Sequence, residues 1–454
     1  MRKCFVLLAA ALVAAAFSVP LAAQDASAAP LAVKIGAFDF TPGGFLDFTT
    51  VYRTTNVGSG IGTNFAKIPY SDTVAGKLSE LRESLQNSRM TLKVSGKRDG
   101  TEVTGYIETD FLGNAPTNVA VSSNSNTLRM RVFFLDLRQG AWEILAGQDW
   151  SMLTPNRVGL SPMPSDIFYS QVTDTNYQVG LTWARQPQFR VVYHASPGFT
   201  AGITVENGEA YIGGSGAPLV TLPGGAAGPY STEVDNGAST LSAPGFTPDF
   251  IGKLAYDSAP NGAGLHLEAA GLESTFRILN PTTGVTTRAG GGGLALNANW
   301  AAAPGFHLIA NSFYGDGGGR YFFGMAPDFA IRQDGTISLI RASGGIAGLE
   351  WQLMPQDLFY AYYGGIYIRP SFDLSGASAV GYGFPGSPNS TNKAIQEATL
   401  GLVHTLWKSA AYGSVQLMAQ ASYLTRNPYA IVAPATARNA RSTMAFVNLR
   451  YNLP

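Results

Sequence analysis

Cys4 is the only cysteine in the 454 residues. Small extracellular domains lean on disulfides, so their absence removes that class. Cys4 also sits ahead of the first apolar run instead of at its end, the wrong place for a lipid-modified cysteine. After Ala23 no apolar run reaches the ~20 residues that a spanning helix needs. Lysine and arginine number 30, aspartate and glutamate 30, so charge gives no sign of a nucleic-acid or other polyanionic partner. The four histidines, His194, His266, His307 and His404, show no metal-ligand spacing, and neither an HExxH helix nor a GxSxG elbow occurs. The glycines at 290–293 lie between a loop and a strand, not before a helix, which argues against a phosphate cradle. No catalytic residue, metal or cofactor is expected.

Met1–Ala23 has a basic start (Arg2, Lys3), an apolar run from Phe5 to Val19, a breaker at Pro20 and small residues beyond. That pattern is an export signal: its apolar run, about fifteen residues, is short of a spanning helix. Cleavage after Ala23 or after Ala28 fits equally, making residues 1–28 a signal peptide with a short spacer. Residues 29–454 show no linker or shift of composition, so one domain is expected there. Only 13% of residues are charged, while glycine (53 residues) and aromatics (11%) are abundant.

A two-residue rhythm runs through the chain. Near its end, Val415, Leu417, Ala419, Ala421 and Tyr423 alternate with Ser414, Gln416, Gln420 and Ser422, and Ala445, Val447, Leu449 and Tyr451 with Ser442, Asn448 and Arg450. A period of two puts the apolar set on one strand face and the polar set on the other. Similar segments span 43–54, 88–97, 102–112, 127–137, 141–150, 177–194, 198–206, 247–258, 264–278, 290–302, 305–316, 343–354, 357–369, 394–408, 411–426 and 441–453. Between them short and long connections alternate, seven against eight. This is the pattern of an all-β, transmembrane antiparallel barrel with short periplasmic turns, long extracellular loops and both termini periplasmic. The count is sixteen strands if 177–194 is one strand bulged near Pro187, with eighteen as the alternative. Lys77–Gln86, with Leu78, Leu81 and Leu85 on one side, reads as a short helix capping a loop. The six tryptophans fall mostly near strand ends, as interfacial aromatic belts would have them.

The polar face identifies the interior as wet. Arg89, Thr91 and Lys93 oppose Met90, Leu92 and Val94; Tyr106, Glu108 and Asp110 oppose Val103 and Ile107; Arg129 and Arg131 oppose Leu128, Met130, Val132 and Phe134. Arg190 opposes Phe189 and Tyr193, Lys253 opposes Leu254, and Arg369 with Tyr363 opposes Tyr360, Tyr362 and Ile368. An arginine facing lipid at mid-depth costs about 2–4 kcal/mol, so these charges belong in a water-filled lumen. Arg53, Arg89, Lys93, Glu108, Asp110, Arg129, Arg131, Arg190, Lys253 and Arg369 are the expected pore-lining residues. Their cations favour small anions, to the extent that Glu108 and Asp110 leave them unpaired.

Gly44–Phe48 with Val51-Tyr52-Arg53, Gln86–Arg89, Gly105–Gly113 and Ala146–Ser151 resemble, in order and spacing, the DcaP-like family of outer-membrane porins. The resemblance is clearest over residues 43–205. It implies a homotrimeric diffusion channel in a Gram-negative outer membrane, in contact with lipopolysaccharide and passing small solutes, anionic dicarboxylates among them. It also implies that Arg89, Glu108, Asp110 and Gln148–Ser151 lie in or near the pore. The chain departs from the family in having no coiled-coil segment ahead of its first strand and no terminal aromatic, Tyr451 standing in for the latter. Two competing readings are a barrel enzyme of lipase or protease type, which needs a nucleophile–base pair not found here, and an adhesin acting through loop 207–246.

Overall fold

The computed structural model describes residues 32–454 apart from 116–125, 169, 196–197, 214–219, 226–227, 236–242, 244, 260–263, 376–377, 389–390 and 434–435. The expected signal segment 1–28 and Ser196-Pro197 of one expected turn lie outside the described residues. Sixteen strands form the barrel wall: β1 (Phe38–Arg53), β2 (Arg89–Arg98), β3 (Thr101–Asp110), β4 (Arg129–Gln139), β5 (Trp142–Trp150), β6 (Arg185–Ala195), β7 (Phe199–Glu206) and β8 (Asp249–Asp257) make one half. The other half is β9 (Leu265–Leu279), β10 (Thr286–Ala303), β11 (Phe306–Asp316), β12 (Arg341–Met354), β13 (Asp357–Ile368), β14 (Asn392–Ser409), β15 (Gly413–Pro428) and β16 (Ala440–Asn452). Each pairs antiparallel with its neighbour in sequence, and β1 closes the ring on β16 through Phe45↔Asn452 to Arg53↔Met444. Closure leaves no unpaired edge, the condition for a sheet to stand in lipid.

The connections alternate as expected. Seven connections, most of them of two or three residues, gather at one end, among them Asp99-Gly100, where φ of 51° and 86° gives the paired left-handed residues of a two-residue hairpin. The other eight, long except for the six residues 280–285, gather at the other end. At the short-turn end Trp142 contacts Tyr193 (4.7 Å between centroids), Phe199 contacts Tyr256 (4.7 Å) and Phe306 meets Trp351 edge-on (6.1 Å). With Trp300 and Trp407, this is one girdle of an interfacial belt. Trp150 and Trp183 are instead buried within the lumen.

Exposure follows strand parity. Leu46, Phe48, Ile203, Leu254, Leu294, Leu296 and Leu400 face outward, while Asp47, Glu108, Arg190, Lys253, Glu268 and Gln420 face inward. Four local features depart from the sequence reading. The second strand is interrupted: residues 85–88 separate β2 from Glu80–Ser84, which also pairs with β1. The helix is therefore confined to Val74–Lys77, Glu80–Ser84 within the expected helix is strand, and Leu81 and Leu85 are exposed. β6 begins only at Arg185, with Pro187 facing Gln148; residues 177–184 belong to the preceding loop. On β4 a β-bulge at Arg131 opposes Glu108 and Thr109 with Val132 and Met130, so parity flips and Val132 and Phe134 point inward with Arg131. On β13, Tyr360 and Tyr362 are inward and Tyr363 and Tyr367 outward. Arg369 follows the outward parity, just past the strand end, and is exposed; the expectation that it lines the lumen is corrected by that register.

Inside the long-loop end lies an apolar cluster in which loop residues, Ile61, Phe65 and Ile68, Ile212 and Leu222, Phe322, Phe329 and Ile331, and Tyr382, pack against inward strand residues such as Phe276, Phe313, Ile368 and Phe446. The loops thus pack on one another across the mouth. A second cluster joins Phe168, Leu181 and Trp183 of the loop that follows β5 to inward wall residues such as Phe134, Leu145 and Tyr360.

Candidate functional site

The loop 151–184 between β5 and β6 turns into the lumen and runs around its wall. Inward polar groups of strand after strand hold it. Glu206 accepts from Met152 N (2.9 Å), and Lys253 donates to Thr154 O (2.9 Å) and Asn156 Oδ1 (3.0 Å). Glu268 accepts from Asn156 N (3.0 Å), and Glu350 takes both Arg157 nitrogens at 2.7 and 3.0 Å. On the far wall Tyr362 OH accepts from Gln171 N (3.0 Å), Gln420 from Thr173 N (2.7 Å) and Glu397 from Val179 N (3.0 Å). A loop can be buried only if its backbone groups find partners, and here wall carboxylates and amides supply them. Of the inward charge read from the sequence, Lys253 and Arg190 help to seat this loop, and Glu206, Glu268, Glu350 and Glu397 do the rest.

On the β2–β5 side the loop meets arginines. Arg131 donates through Nε to Glu108 (2.5 Å) and through Nη1 to Asp110 (2.9 Å); Arg129 holds Asp110 with two bonds, 3.0 and 2.7 Å. Arg89 Nη1 lies 3.4 Å from Glu108. Tyr177, at the loop's inner turn, accepts from Arg89 (3.4 Å) and Arg131 (3.3 Å) through its hydroxyl. Its φ of 65° is strained for a bulky residue, and the two arginines hold it there. Arg185, at the start of β6, brings a fourth guanidinium 5.3 Å from the Trp150 ring, which Arg131 also approaches at 5.8 Å. Arg185 Nη1 has no hydrogen-bond partner among the described residues. Four guanidinium groups thus surround two carboxylates.

The bulge leaves the Arg131 carbonyl out of the ladder, and Gln148 Nε2 donates to it at 2.9 Å. Asp149 pairs with Arg190 at 3.3 Å, and Trp150 forms the aromatic wall. The segment 148–150 thus lies beside the arginine cluster. Asp174, on the loop, is buried with Oδ1 accepting from Asn176 N (2.9 Å) and Thr63 N (3.3 Å), and burial pushes its carboxyl up.

The expected site residues separate into three groups. Arg89, Arg129, Arg131, Glu108 and Asp110 come together as described, with Lys93 further along the same inward face, half-buried. Arg53, Arg190 and Lys253 point inward but are covered. Arg53 is fully buried beneath loop 54–79, donating to Glu80 (2.9 Å) and to Ile61 O (2.6 Å). Arg190 donates to Trp150 O (2.8 Å), and Lys253 pairs with Glu268 at 2.8 Å. Arg369 lies apart, at the long-loop end. Sequence reasoning missed Arg185 and Arg157. The pairing of Arg185 with a nearby Pro187 concealed a strand start, and Arg157 sits in a loop without any period.

Two polar recesses flank the loop. The outer one, about 440 Å³, is lined by Thr63, Asn64, Gln86, Asn126, Thr175, Asn176 and Arg129. The inner one, about 280 Å³ near the short turns, is lined by Gln171, Gln352, Gln356, Thr405, Lys408, Gln416 and Arg450. Thr175 and Asn176 face one and Gln171 the other, with Val172–Asp174 buried between them.

No protein-family model matches the chain, and no curated protein sequence does. Among solved structures, the outer-membrane channel DcaP of Acinetobacter baumannii superposes with a TM-score of 0.66 at 15% identity, over 94% of this chain and 100% of that one. An anion-selective porin from Comamonas acidovorans follows with a TM-score of 0.50 at 12% identity, over 92% of this chain and 100% of that one. The fold is therefore that of the DcaP channel, in keeping with the resemblance seen in the sequence.

Proposed function

We propose that this barrel is an outer-membrane porin, a water-filled passage for small polar solutes that favours small anions such as dicarboxylates. The observation that carries the reading is the arginine cluster against loop 151–184. Arg129, with 35% of its side chain exposed, opens onto the outer recess. A net positive, partly desolvated strip beside a narrowed path attracts anions and repels cations without binding either tightly. A carboxylate solute can meet paired N–H donors on Arg129 as it leaves Asp110, an exchange of like for like with a low barrier. Both polar recesses carry amides and hydroxyls that replace solute hydration on either side. No catalytic step is assigned to any residue.

The fold likeness supports an outer-membrane address and the family resemblance supports a homotrimer, with both termini on the periplasmic side. The test is reconstitution in a planar bilayer, with liposome swelling in succinate and in an uncharged sugar of similar size. Discrete conductance steps and faster succinate entry are expected. Absence of conductance, or sugar entering faster than succinate, would overturn the reading. Light scattering of the purified protein in detergent, expected at three chains per particle, checks the trimer.

A further inference from the structure

Across the β9–β10 hairpin, Arg277 stands directly opposite Arg288. Like charges placed so repel, and here they share the outward face with Leu279, Leu294 and Leu296. Both guanidinium groups lie 4.8 Å from the ring of Phe246, which they share. Among the described residues neither comes within 4.0 Å of a carboxylate oxygen. By contrast the outward Arg341 is closed by Asp316 at 2.7 Å.

Their height in the wall is informative. Trp300, outward in the girdle at the short-turn end, is twelve residues from Arg288 on the same strand (300 − 288). At about 3.3 Å per residue and a tilt of about 40°, that is ~30 Å along the barrel axis. An apolar band of ~25 Å ends just below such a level. Two cations without an ion pair among the described residues therefore face sideways at the outer headgroup boundary, Arg277 beside a recess that Glu209 and Glu233 also line, above the exposed apolar surface of Leu294 and Leu296.

We propose that Arg277, Arg288 and Phe246 form a site for a phosphate-bearing lipid of the outer leaflet. One phosphate bridges the two guanidinium forks, and the lipid's chains descend along Leu294 and Leu296. The opening toward the bilayer, not the lumen, selects a lipid over a free anion. Bridging also turns the cross-strand repulsion into a clamp that ties the hairpin to the membrane.

The test is titration of the full barrel in mild detergent with lipopolysaccharide, read by native mass spectrometry, and with the same lipid after enzymatic removal of its phosphates. The R277Q/R288Q pair is expected to weaken binding roughly tenfold through loss of two charge-assisted contacts. R277K/R288K keeps most of it, and R341Q little changes it. Dephosphorylated lipid is expected to bind the unaltered barrel as weakly as intact lipid binds R277Q/R288Q. Equal binding of intact and dephosphorylated lipid would overturn the proposal without any variant, as would unchanged binding by R277Q/R288Q. Full displacement of the lipid by low-millimolar inorganic phosphate would reassign the site to a free anion and overturn the lipid reading.

Discussion

Removing Arg185 is a graded perturbation of the pore charge, because it takes away a guanidinium whose Nη1 has no hydrogen-bond partner among the described residues. Arg89, Arg129, Arg131 and Arg185 against Glu108 and Asp110 leave two positive charges (4 − 2 = 2). A monovalent ion passing ~6 Å from that centre through water feels about 1.4 kcal/mol. A Debye length of ~10 Å at 0.1 M salt reduces this to about 0.8 kcal/mol. The field acts with opposite sign on the counter-ion, so the anion-over-cation preference is about thirteenfold. In a tenfold potassium chloride gradient that gives a reversal potential of about 45 mV in the anion direction.

Arg185→Gln leaves one charge, a preference of about fourfold and a reversal potential of about 25 mV. Arg129→Gln with Arg131→Gln leaves none (2 − 2 = 0), and the potential should fall close to zero. The assay is single-channel recording of each purified variant under the same gradient, with heat-modifiable electrophoretic mobility confirming a folded barrel. The ordering wild type, then the single, then the double variant is the signature of a summed field. Equal potentials in all three, or a wild-type pore that prefers cations, would refute this electrostatic account.

Other consequences are open to measurement. Arg157→Met leaves Glu350 buried with only Tyr362 and water to satisfy it; a cost on the order of 3 kcal/mol should loosen loop 151–184 and appear as added open-channel noise. Asp174 has its carboxyl pKa raised by burial, so the folded state holds its proton more tightly than the unfolded chain. Its contribution therefore favours folding at acid pH and is lost as pH rises from the ordinary carboxylate value through the raised one. Asp174→Asn should flatten that part of the thermal-stability profile and leave Tm at neutral pH equal or higher. Gln148→Ala strands the Arg131 carbonyl at the bulge and should cost about 1 kcal/mol in urea unfolding. A cysteine at Thr282, in the β9–β10 loop, should react with an impermeant maleimide on whole cells, while one at Asp99, in a short turn, should not; the reverse result would invert the barrel.

The two-residue period is local chemistry, legible wherever a strand separates lipid from water. It determined the number of strands, the alternation of long and short connections, and the inward face of Arg89, Glu108, Arg190 and Lys253, because burying charge in lipid is expensive. Parity also has a known failure: one extra residue shifts every side chain to the other face. The bulge at Arg131 did so for Val132 and Phe134, whereas on β13 the inward face of Tyr360, Tyr362, Ile366 and Ile368 is as apolar as the lipid face, so alternation alone does not say which way Arg369 points. The interior was decided only by tertiary structure. Loop 151–184 has no period, and its partners are Glu350, 193 residues from Arg157, and Gln420, 247 from Thr173. Nothing local distinguishes an inward cation that meets water from one that meets a loop. Arg129 opens onto a recess while Arg53 and Lys253 disappear beneath backbone, because the fold brings distant loops to rest on them.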